Sequence, residues 1–373
     1  MLVCSKCGRV YEENTREYRC ACGGWLDYVF DVQPVFDREK IACGPLSMWR
    51  YADALPLPQG AERVSMGEGM TPLVPFEWGG REILFKLDHV QPTGSYKDRG
   101  MAYLVSRLKA AGIEEVVEDS SGNAGAAMAS YCARAGIECN VYVPDYTSQG
   151  KCVQILASGA RLHRVPGSRE DTTAAAVEAG RNSFYASHNW SPWFSMGLAT
   201  WAYETWEQMN WNAPDAVVVP VGQGSIALGA YIGFKKLCGA GQIRKIPRII
   251  AVQSTGCAPL TRAWELGSDE PVSIVKTSAL AEGIASSEPV RGSAVLADVR
   301  SSGGFFMSVP DEEVKEAFFQ MARRGIYVEP TSAVVGAALT RLTRDGAFAA
   351  DETVVAFTSG SGLKATDHLL EFF

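Results

Sequence analysis

The chain has 373 residues, 47% of them hydrophobic, with 35 Lys and Arg against 42 Asp and Glu and a formal charge of -7 at pH 7. That is enough apolar material for a large core in two or three domains, and the negative balance excludes a general attraction for nucleic acid or anionic membrane, leaving small-molecule chemistry as the default. The start of the chain, MLVCSKCGRV, lacks the apolar run of a secretory signal, and no stretch approaches the roughly 18 consecutive apolar residues of a transmembrane helix, so a cytoplasmic protein is expected.

The first thirty residues differ from the rest. Cys4 and Cys7 form a CxxC and Cys20 and Cys22 a CxC, separated by a polar loop. Gly-containing knuckles let paired thiolates point at one ion, and four thiolates satisfy tetrahedral zinc with no open position, so the expected metal is a structural zinc held in a ribbon over residues 1–44. The alternative is a ribbon without metal, held by packing of Tyr11, Tyr18 and Trp25. The other six cysteines, Cys43, Cys132, Cys139, Cys152, Cys238 and Cys257, are scattered, mostly in apolar surroundings, and are expected to be reduced core residues. An irregular link, ALPLPQGAERVSMGEGMTPLV, leads into the main body.

From residue 82 onward, short β-branched runs alternate with alanine-rich helical stretches, the pattern of an α/β protein with mainly parallel sheets. The runs EILFKL, EEVVED, CNVYVP, AVVVPV, RIIAVQ and TVVAFT predict strands, and AGAAMASYCARAG, IALGAYIGFKKL and SAVVGAALTRL predict helices whose small residues allow close approach to a sheet. A further helix is signalled by VPDEEVKEAFFQMARRGIYVEP, with Asp311 near its N-cap, Arg323 and Arg324 in the last turn and Gly325 as its stop.

Three glycine-containing turns follow predicted strands, where open α/β sheets bind ligands: SSGNAG (120–125), VGQGS (221–225) and TSGSG (358–362). The second precedes a helix, so its backbone N–H groups and the helix dipole could hold a phosphate. Taken alone, a glycine after a strand is usually a tight turn. A fourth stretch, TGSYKDRG (93–100), sets Lys97 between an aromatic residue and an Asp-Arg pair.

The stretch QPTGSYKDRG resembles the cofactor-lysine motif of fold-type II pyridoxal-phosphate enzymes, in the form most similar to that of threonine synthase. EGMTPLV, SSGNAG, the Gly-rich loop after VVVP, VEPTSA and TSGSGLK follow in the order that family uses, so the resemblance covers nearly all of the chain after residue 65. A zinc-ribbon-like N-terminus also occurs in some threonine synthase relatives. The resemblance implies pyridoxal 5'-phosphate as cofactor and Lys97 as the catalytic residue, joined to the cofactor aldehyde and later serving as base, a task that needs a partly neutral amine. It implies that Asn123 holds the ring hydroxyl, that Gly122 and Ala124 shape the turn around it, that Gly222, Gln223, Gly224, Ser225 and Ile226 donate N–H groups to the phosphate, and that Ser359 faces the pyridine nitrogen. Gln223 and Ser225 depart in detail from the family loop, which often carries an Asn and a further Gly.

The implied reaction converts O-phosphohomoserine to threonine and phosphate by elimination and water addition. A dianionic leaving group calls for a cationic clamp. Where the family carries a stretch of the NPYR type, this chain has SHNWSPWFSMGLAT, with Phe194 at the place of the arginine and Ser191 at that of the asparagine. Lys151 and Arg291 are the candidates to supply the missing charge, each otherwise a surface cation. His188 is either an acid or base or a packed, hydrogen-bonded side chain. Expected substrate contacts are Ser120, Ser121, Asn189, Phe194 and Glu329, with Thr331 or Ser332 capping the helix after VEP.

The expected architecture is a tryptophan synthase β-like, fold-type II α/β body of two open domains behind the ribbon. A large domain would combine residues 45–110 and 206–373, and a small α/β domain would span 111–205, with pyridoxal phosphate in the cleft and a homodimer as the assembly. The expected function is a threonine-synthase-like lyase on a small amino-acid substrate. The alternatives are a dehydratase, ammonia-lyase or β-replacement enzyme on an unphosphorylated amino acid, and a non-catalytic protein that keeps the fold.

Overall fold

The computed structural model describes residues 1–29, 33–277 and 280–373. In chain order the strands and helices are β1 (Leu2–Cys4), β2 (Val10–Tyr11), β3 (Leu26–Tyr28), α1 (Arg38–Ala42), β4 (Leu73–Trp78), β5 (Arg81–Leu87), α2 (Lys97–Ala110), β6 (Glu115–Glu118), α3 (Asn123–Ala135), β7 (Glu138–Pro144), α4 (Gln149–Ala157), β8 (Arg161–Val165), α5 (Arg169–Ala179) and α6 (Pro192–Leu198). There follow α7 (Thr200–Gln208), β9 (Ala216–Pro220), α8 (Ser225–Gly239), β10 (Arg248–Ser254), α9 (Pro259–Glu265), α10 (Gly292–Ser301), β11 (Phe305–Val309), α11 (Asp311–Ala322), α12 (Pro330–Arg344), β12 (Val354–Thr358) and α13 (Thr366–Leu369). Every strand and helix expected from the β-branched and alanine-rich runs is present. β4, β8 and β11 lay outside those expectations, because PFEWGG, RLHRV and FFMSV mix polar residues or a proline into short, half-buried strands.

The chain divides into two compact units, the first made of Met1–Glu68 and Lys97–Gly197, the second of Gly69–Tyr96 and Leu198–Phe373. These limits differ from the expected 44, 110 and 205, and side-chain packing gives the reason. Helix α2 buries Asp98 through Leu108 and packs on α3, so residues 97–110 stay with α3 and its sheet. It also holds the preceding link: the Ser106 hydroxyl accepts the Val64 N–H at 2.9 Å, and the Tyr103 hydroxyl donates to the Pro56 carbonyl at 2.6 Å. At the other limit, the start of α7 lies so close to α8 that a Cβ at Gly233 would meet the Ala202 Cβ and the Ala199 carbonyl, both at 2.6 Å, and one at Gly229 would meet Leu198, just before α7, at 2.7 Å.

In the first unit, β6, β7 and β8 form a parallel sheet in that order, and β1 pairs antiparallel with both β2 and β3 in the N-terminal ribbon. Residues 184–186 run alongside the end of β6: the Val117 N–H donates to the Phe184 carbonyl and the Ala186 N–H to the Val117 carbonyl, both at 2.8 Å.

In the second unit six strands lie in the order β11-β10-β9-β12-β5-β4, parallel except for the β4–β5 hairpin. The central β9 and β12 are buried at every residue, as continuous apolar runs covered on both faces must be. Chain direction across the sheet reverses at β9 and β12: β10 and β11 continue to one side and β5 lies on the other. The loops after these two strands therefore sit at a topological switch point, where open sheets receive ligands. Below them, Lys86 and Glu204, both fully buried, form an ion pair. The Lys86 Nζ also donates to the Thr71 carbonyl at 2.8 Å and to Gln208 Oε1 at 2.7 Å, while Glu204 accepts the N–H groups of Met70 (2.7 Å) and Thr71 (2.9 Å). That network fixes the MTPLV segment, and its full complement of partners offsets the desolvation of both charges.

Candidate active site

Each unit carries its own set of the residues singled out by sequence. In the first unit, Lys97 opens α2 and its Nζ stands 5.3 Å from the centroid of the Phe194 ring. Phe194, on α6, is fully buried, and its ring lies where a side chain at residue 100 would be: a Cβ on Gly100 would come within 2.3 Å of it. The final glycine of KDRG is thus required by Phe194, and Phe194 reaches the site as the wall beside Lys97. A Cβ at Gly197 would likewise meet the Arg99 carbonyl at 2.4 Å, so α6 crosses α2 at backbone contact.

The ring of His188 packs edge-on to Phe194, with centroids 5.2 Å apart, and its Nδ1 lies 3.2 Å from Oε1 of Glu118 at the end of β6. Burial pushes the Glu118 carboxyl up to about 7, against the opposing pull of the Arg169 and Lys97 cations. Burial, aided by Lys97, holds His188 well below its usual range. Glu118 was not among the expected residues. Its one sequence signal is a carboxylate closing an apolar strand immediately before SSGNAG.

Asn123 is the first residue of α3, whose N-cap, Gly122, offers no side chain to the helix N–H groups. Gly122 stands in open space, whereas a Cβ at Gly125 would lie 1.8 Å from the Ser120 carbonyl, so this turn depends on its second glycine rather than on Gly122. The Ser120 hydroxyl accepts the Gly122 N–H at 3.4 Å, and Ser120, Ser121, Asn123 and Asn189 are all half-buried. Lys151 is exposed on α4.

In the second unit the loop after β9 turns through Gly222, Gln223 and Gly224 into α8. A Cβ at Gly222 would meet the Ile284 backbone at 2.6 Å, and one at Gly224, whose φ is +87°, would meet Val295 at 2.3 Å. Only glycine suits either position. No side chain caps α8, which leaves the first N–H groups of a 15-residue helix, from Ser225 and Ile226 on, for an anion. This cradle fits a phosphate. The amide of Gln223 turns away from it, donating to the Ser286 hydroxyl at 2.6 Å and accepting the Val290 N–H at 2.8 Å, so Gln223 serves the loop through its backbone while anchoring the segment that leads to the buried Arg291.

Ser359, fully buried after β12, has its hydroxyl 2.9 Å from that of Ser332 and donates to Glu329 Oε1 at 3.3 Å. The Ser332 hydroxyl also accepts the N–H groups of Ser359 (2.8 Å) and Gly360 (3.1 Å). The expected capping role for Thr331 or Ser332 is therefore corrected: Glu329 is the N-cap of α12, and Ser332, inside the helix, is turned onto the β12 loop. Tyr96 joins both loops, its hydroxyl 3.0 Å from that of Ser225 and its N–H donating to the Ser359 carbonyl at 2.8 Å.

In the ribbon, the Sγ atoms of Cys4, Cys7, Cys20 and Cys22 all lie within 4.8 Å of one another, with Cys4 and Cys22 at 3.4 Å and Cys7 and Cys20 at 3.6 Å. Tetrahedral zinc with bonds of about 2.3 Å sets its sulfurs roughly 3.8 Å apart, close to this spacing. Of the six scattered cysteines, Cys132, Cys139, Cys152 and Cys257 are buried as expected, whereas Cys43 is exposed and Cys238 half-exposed, each lying just beyond or at the end of a helix.

Among the described residues no helix is long and apolar enough to cross a membrane. The family model of pyridoxal-phosphate dependent enzymes matches residues 64–360. Threonine synthase of Methanocaldococcus jannaschii is 34% identical over 98% of this chain and 93% of its own length, and that of Methanosarcina acetivorans 33% identical over 97% and 92%. Among solved structures, the processed form of threonine deaminase isoform 2 from Solanum lycopersicum superimposes with a TM-score of 0.70, covering 88% of this chain and 94% of that one; at 20% identity this likeness speaks for the fold alone. The motif order after residue 65, the glycine-lined cradle at a switch point and the match of nearly the whole chain to the two threonine synthases agree, and the chain belongs to the fold-type II pyridoxal-phosphate-dependent enzymes, in the threonine synthase family.

Proposed function

We propose that this chain catalyses the threonine synthase reaction, in which O-phosphohomoserine and water give threonine and inorganic phosphate. The observation that carries this reading is the 34% identity extending over 98% of the chain, ribbon included. Bound pyridoxal phosphate supplies an electron sink for negative charge at the substrate Cα. The remaining work falls to the protein. Gly222, Gln223, Gly224, Ser225 and Ile226 present backbone N–H groups to the cofactor phosphate, and Asn123 holds the ring hydroxyl. Ser359, oriented by Ser332 and Glu329, would offer the ring nitrogen a hydroxyl, which unlike a carboxylate would leave that nitrogen largely unprotonated and favour elimination and β-addition over transamination. Lys97 would hold the cofactor through its amine and, as a free amine, would take the Cα proton; after loss of a Cβ proton and of the Cγ phosphate, protons returned to Cγ and Cα and hydroxide from water added at Cβ give threonine. Ser120, Ser121, Asn189 and Glu329 are the substrate contacts in this reading, with Phe194 acting through Lys97. Arg291, buried next to the segment that Gln223 anchors, is the favoured cation for the substrate phosphate. Cys4, Cys7, Cys20 and Cys22 hold one structural zinc, and a cytoplasmic homodimer completes the reading.

One observation favours a second reading, a lyase for an unphosphorylated hydroxy amino acid: the stretch where the family carries its phosphate-binding arginine here places the buried, uncharged Phe194. Incubation with O-phospho-L-homoserine, following phosphate and threonine together, separates the two. Equal release of both, lost by at least about a thousandfold in Lys97→Ala, supports the first. Release of neither, with serine or threonine deaminated instead, replaces it with the second.

A further inference from the structure

The carboxyl of Glu118 has no place in the proposed reaction, yet its surroundings are closely defined. Pairing of residues 184–186 with the end of β6 brings His188 against Glu118, which is fully buried. Oε1 meets His188 Nδ1 at 3.2 Å, and Oε2 is buried with no hydrogen-bond partner. An ionised carboxylate with one bare oxygen in such a place is costly, whereas a neutral carboxylic acid against a neutral imidazole is not. The neighbouring Asp119 is treated in the opposite way, with Arg169 at 3.0 Å and the Thr173 hydroxyl at 2.7 Å.

We propose that Glu118 and His188 form a buried proton-sharing pair that offsets the charge of Lys97 as its amine gains and loses a proton, making both of them positioning residues for that lysine. The inference rests on the reading that Lys97 is the reacting amine. Its physical basis is reciprocal: the Lys97 cation favours ionised Glu118, and loss of that cation favours a proton on Glu118. The net charge around the buried pair then stays nearly constant through the proton transfers of turnover. The charged and titratable groups facing the pair agree with this. Burial raises the Glu118 carboxyl to about 7 against the opposing pull of Arg169, of Lys97 and of the backbone N–H groups of His188 and Asp119. His188 is held neutral by burial and by Lys97, with Asp119 opposing. Cys132 and Tyr185, which also feel Glu118, are both pushed up and stay neutral. Phe194 completes the arrangement mechanically, with His188 edge-on to its ring and the Lys97 Nζ 5.3 Å from its centroid.

The test is an infrared pH titration of the full-length protein, with and without cofactor, following the C=O stretch of a buried carboxylic acid. The expected band titrates near pH 7, is absent from Glu118→Gln and moves to higher pH in Lys97→Ala, where a cation that lowers it has gone. With cofactor bound, Glu118→Gln is expected to lower kcat about tenfold to a hundredfold with KM changed less than about twofold, and to erase the limb of the pH–rate profile near neutrality. A carboxyl that titrates in the ordinary acidic range, or a band that does not move in Lys97→Ala, overturns the proposal, and the Lys97→Ala comparison decides even if Glu118→Gln fails to fold. Wild-type protein that is inert toward O-phosphohomoserine but shows the shifting band refutes the assigned reaction and not the pair. Normal turnover with an unmoved band refutes the pair alone.

Discussion

Gly100 shows how a single missing methyl group shapes this site. Its hydrogen leaves the space that the Phe194 ring occupies, and Lys97 stands one helical turn earlier on α2, facing the same ring. Adding a Cβ 2.3 Å from that ring must displace it. Gly100→Ala is therefore expected to destabilise the protein by about 1–3 kcal/mol and to weaken covalent cofactor attachment at Lys97, read from the melting temperature and the visible absorbance of bound cofactor. Because the cost is contact rather than backbone strain, the double variant Gly100→Ala with Phe194→Ala should be more stable than the sum of the single effects implies, by about 1 kcal/mol or more; strict additivity would show that the ring is not the obstacle. At this scale the sequence marked Lys97 and the aromatic replacement at Phe194, because both stand inside a recognisable run. Glu118 stayed hidden among the acidic residues of EEVVED: nothing local distinguishes a solvated glutamate from one that a distant segment has sealed off.

The elements that matter are the loops leaving β9 and β12. Alternating β-branched and glycine-rich stretches announced both, since a strand that ends in glycine and runs into an alanine-rich helix leaves few other folds. How the loops are held was not legible. Ser332 read as a helix cap, but α12 begins at Pro330, where a fixed φ starts the helix without a side-chain cap, and this frees the Ser332 hydroxyl to order the β12 loop. The loop after β9 carries two separable constraints at Gly224, a φ of +87° and a Cβ path that ends 2.3 Å from Val295. Gly224→Ala should weaken pyridoxal phosphate binding at least about tenfold while the protein remains folded, measured by equilibrium titration. Adding Val295→Ala should recover only part of that loss, because it relieves the contact and leaves a backbone strain of roughly 1 kcal/mol. Full recovery would mean that φ is unimportant here.

On the scale of the molecule, the ribbon is not a detached appendage. Tyr18 packs edge-on against Tyr185 and Trp190 at 4.9 and 5.6 Å, Tyr28 lies 4.9 Å from Trp193, and Glu13 pairs with Arg107 of α2 at 2.6 Å. The ribbon thus braces the 185–194 segment that carries His188 and Phe194. One zinc per chain is expected by elemental analysis, absent from Cys20→Ser. Its loss should lower Tm by about 3–4 °C, corresponding to some 2–3 kcal/mol, and reduce turnover through the loosened segment. A metal-free protein with unchanged Tm and turnover would leave the ribbon held by aromatic packing alone.

Local patterns in the sequence determined much of this protein: the parallel α/β class, the three glycine turns, the thiol pairs and the lysine motif are all short-range, written as periodicity and spacing that the backbone obeys wherever it folds. The two units were not among them, because their limits at 68, 96 and 197 depend on which helix faces which. Residues 97–110 belong with α3 only because the buried face of α2 meets it, and α7 belongs with α8 only because Gly229 and Gly233 let it approach. Nor could the partners of Glu118, Gln223 and Ser332 be read from the chain. A buried polar group takes its proton, its charge and its orientation from neighbours 60 or more residues away for the first two and 27 for the third, and those neighbours exist only once the tertiary structure has closed around it.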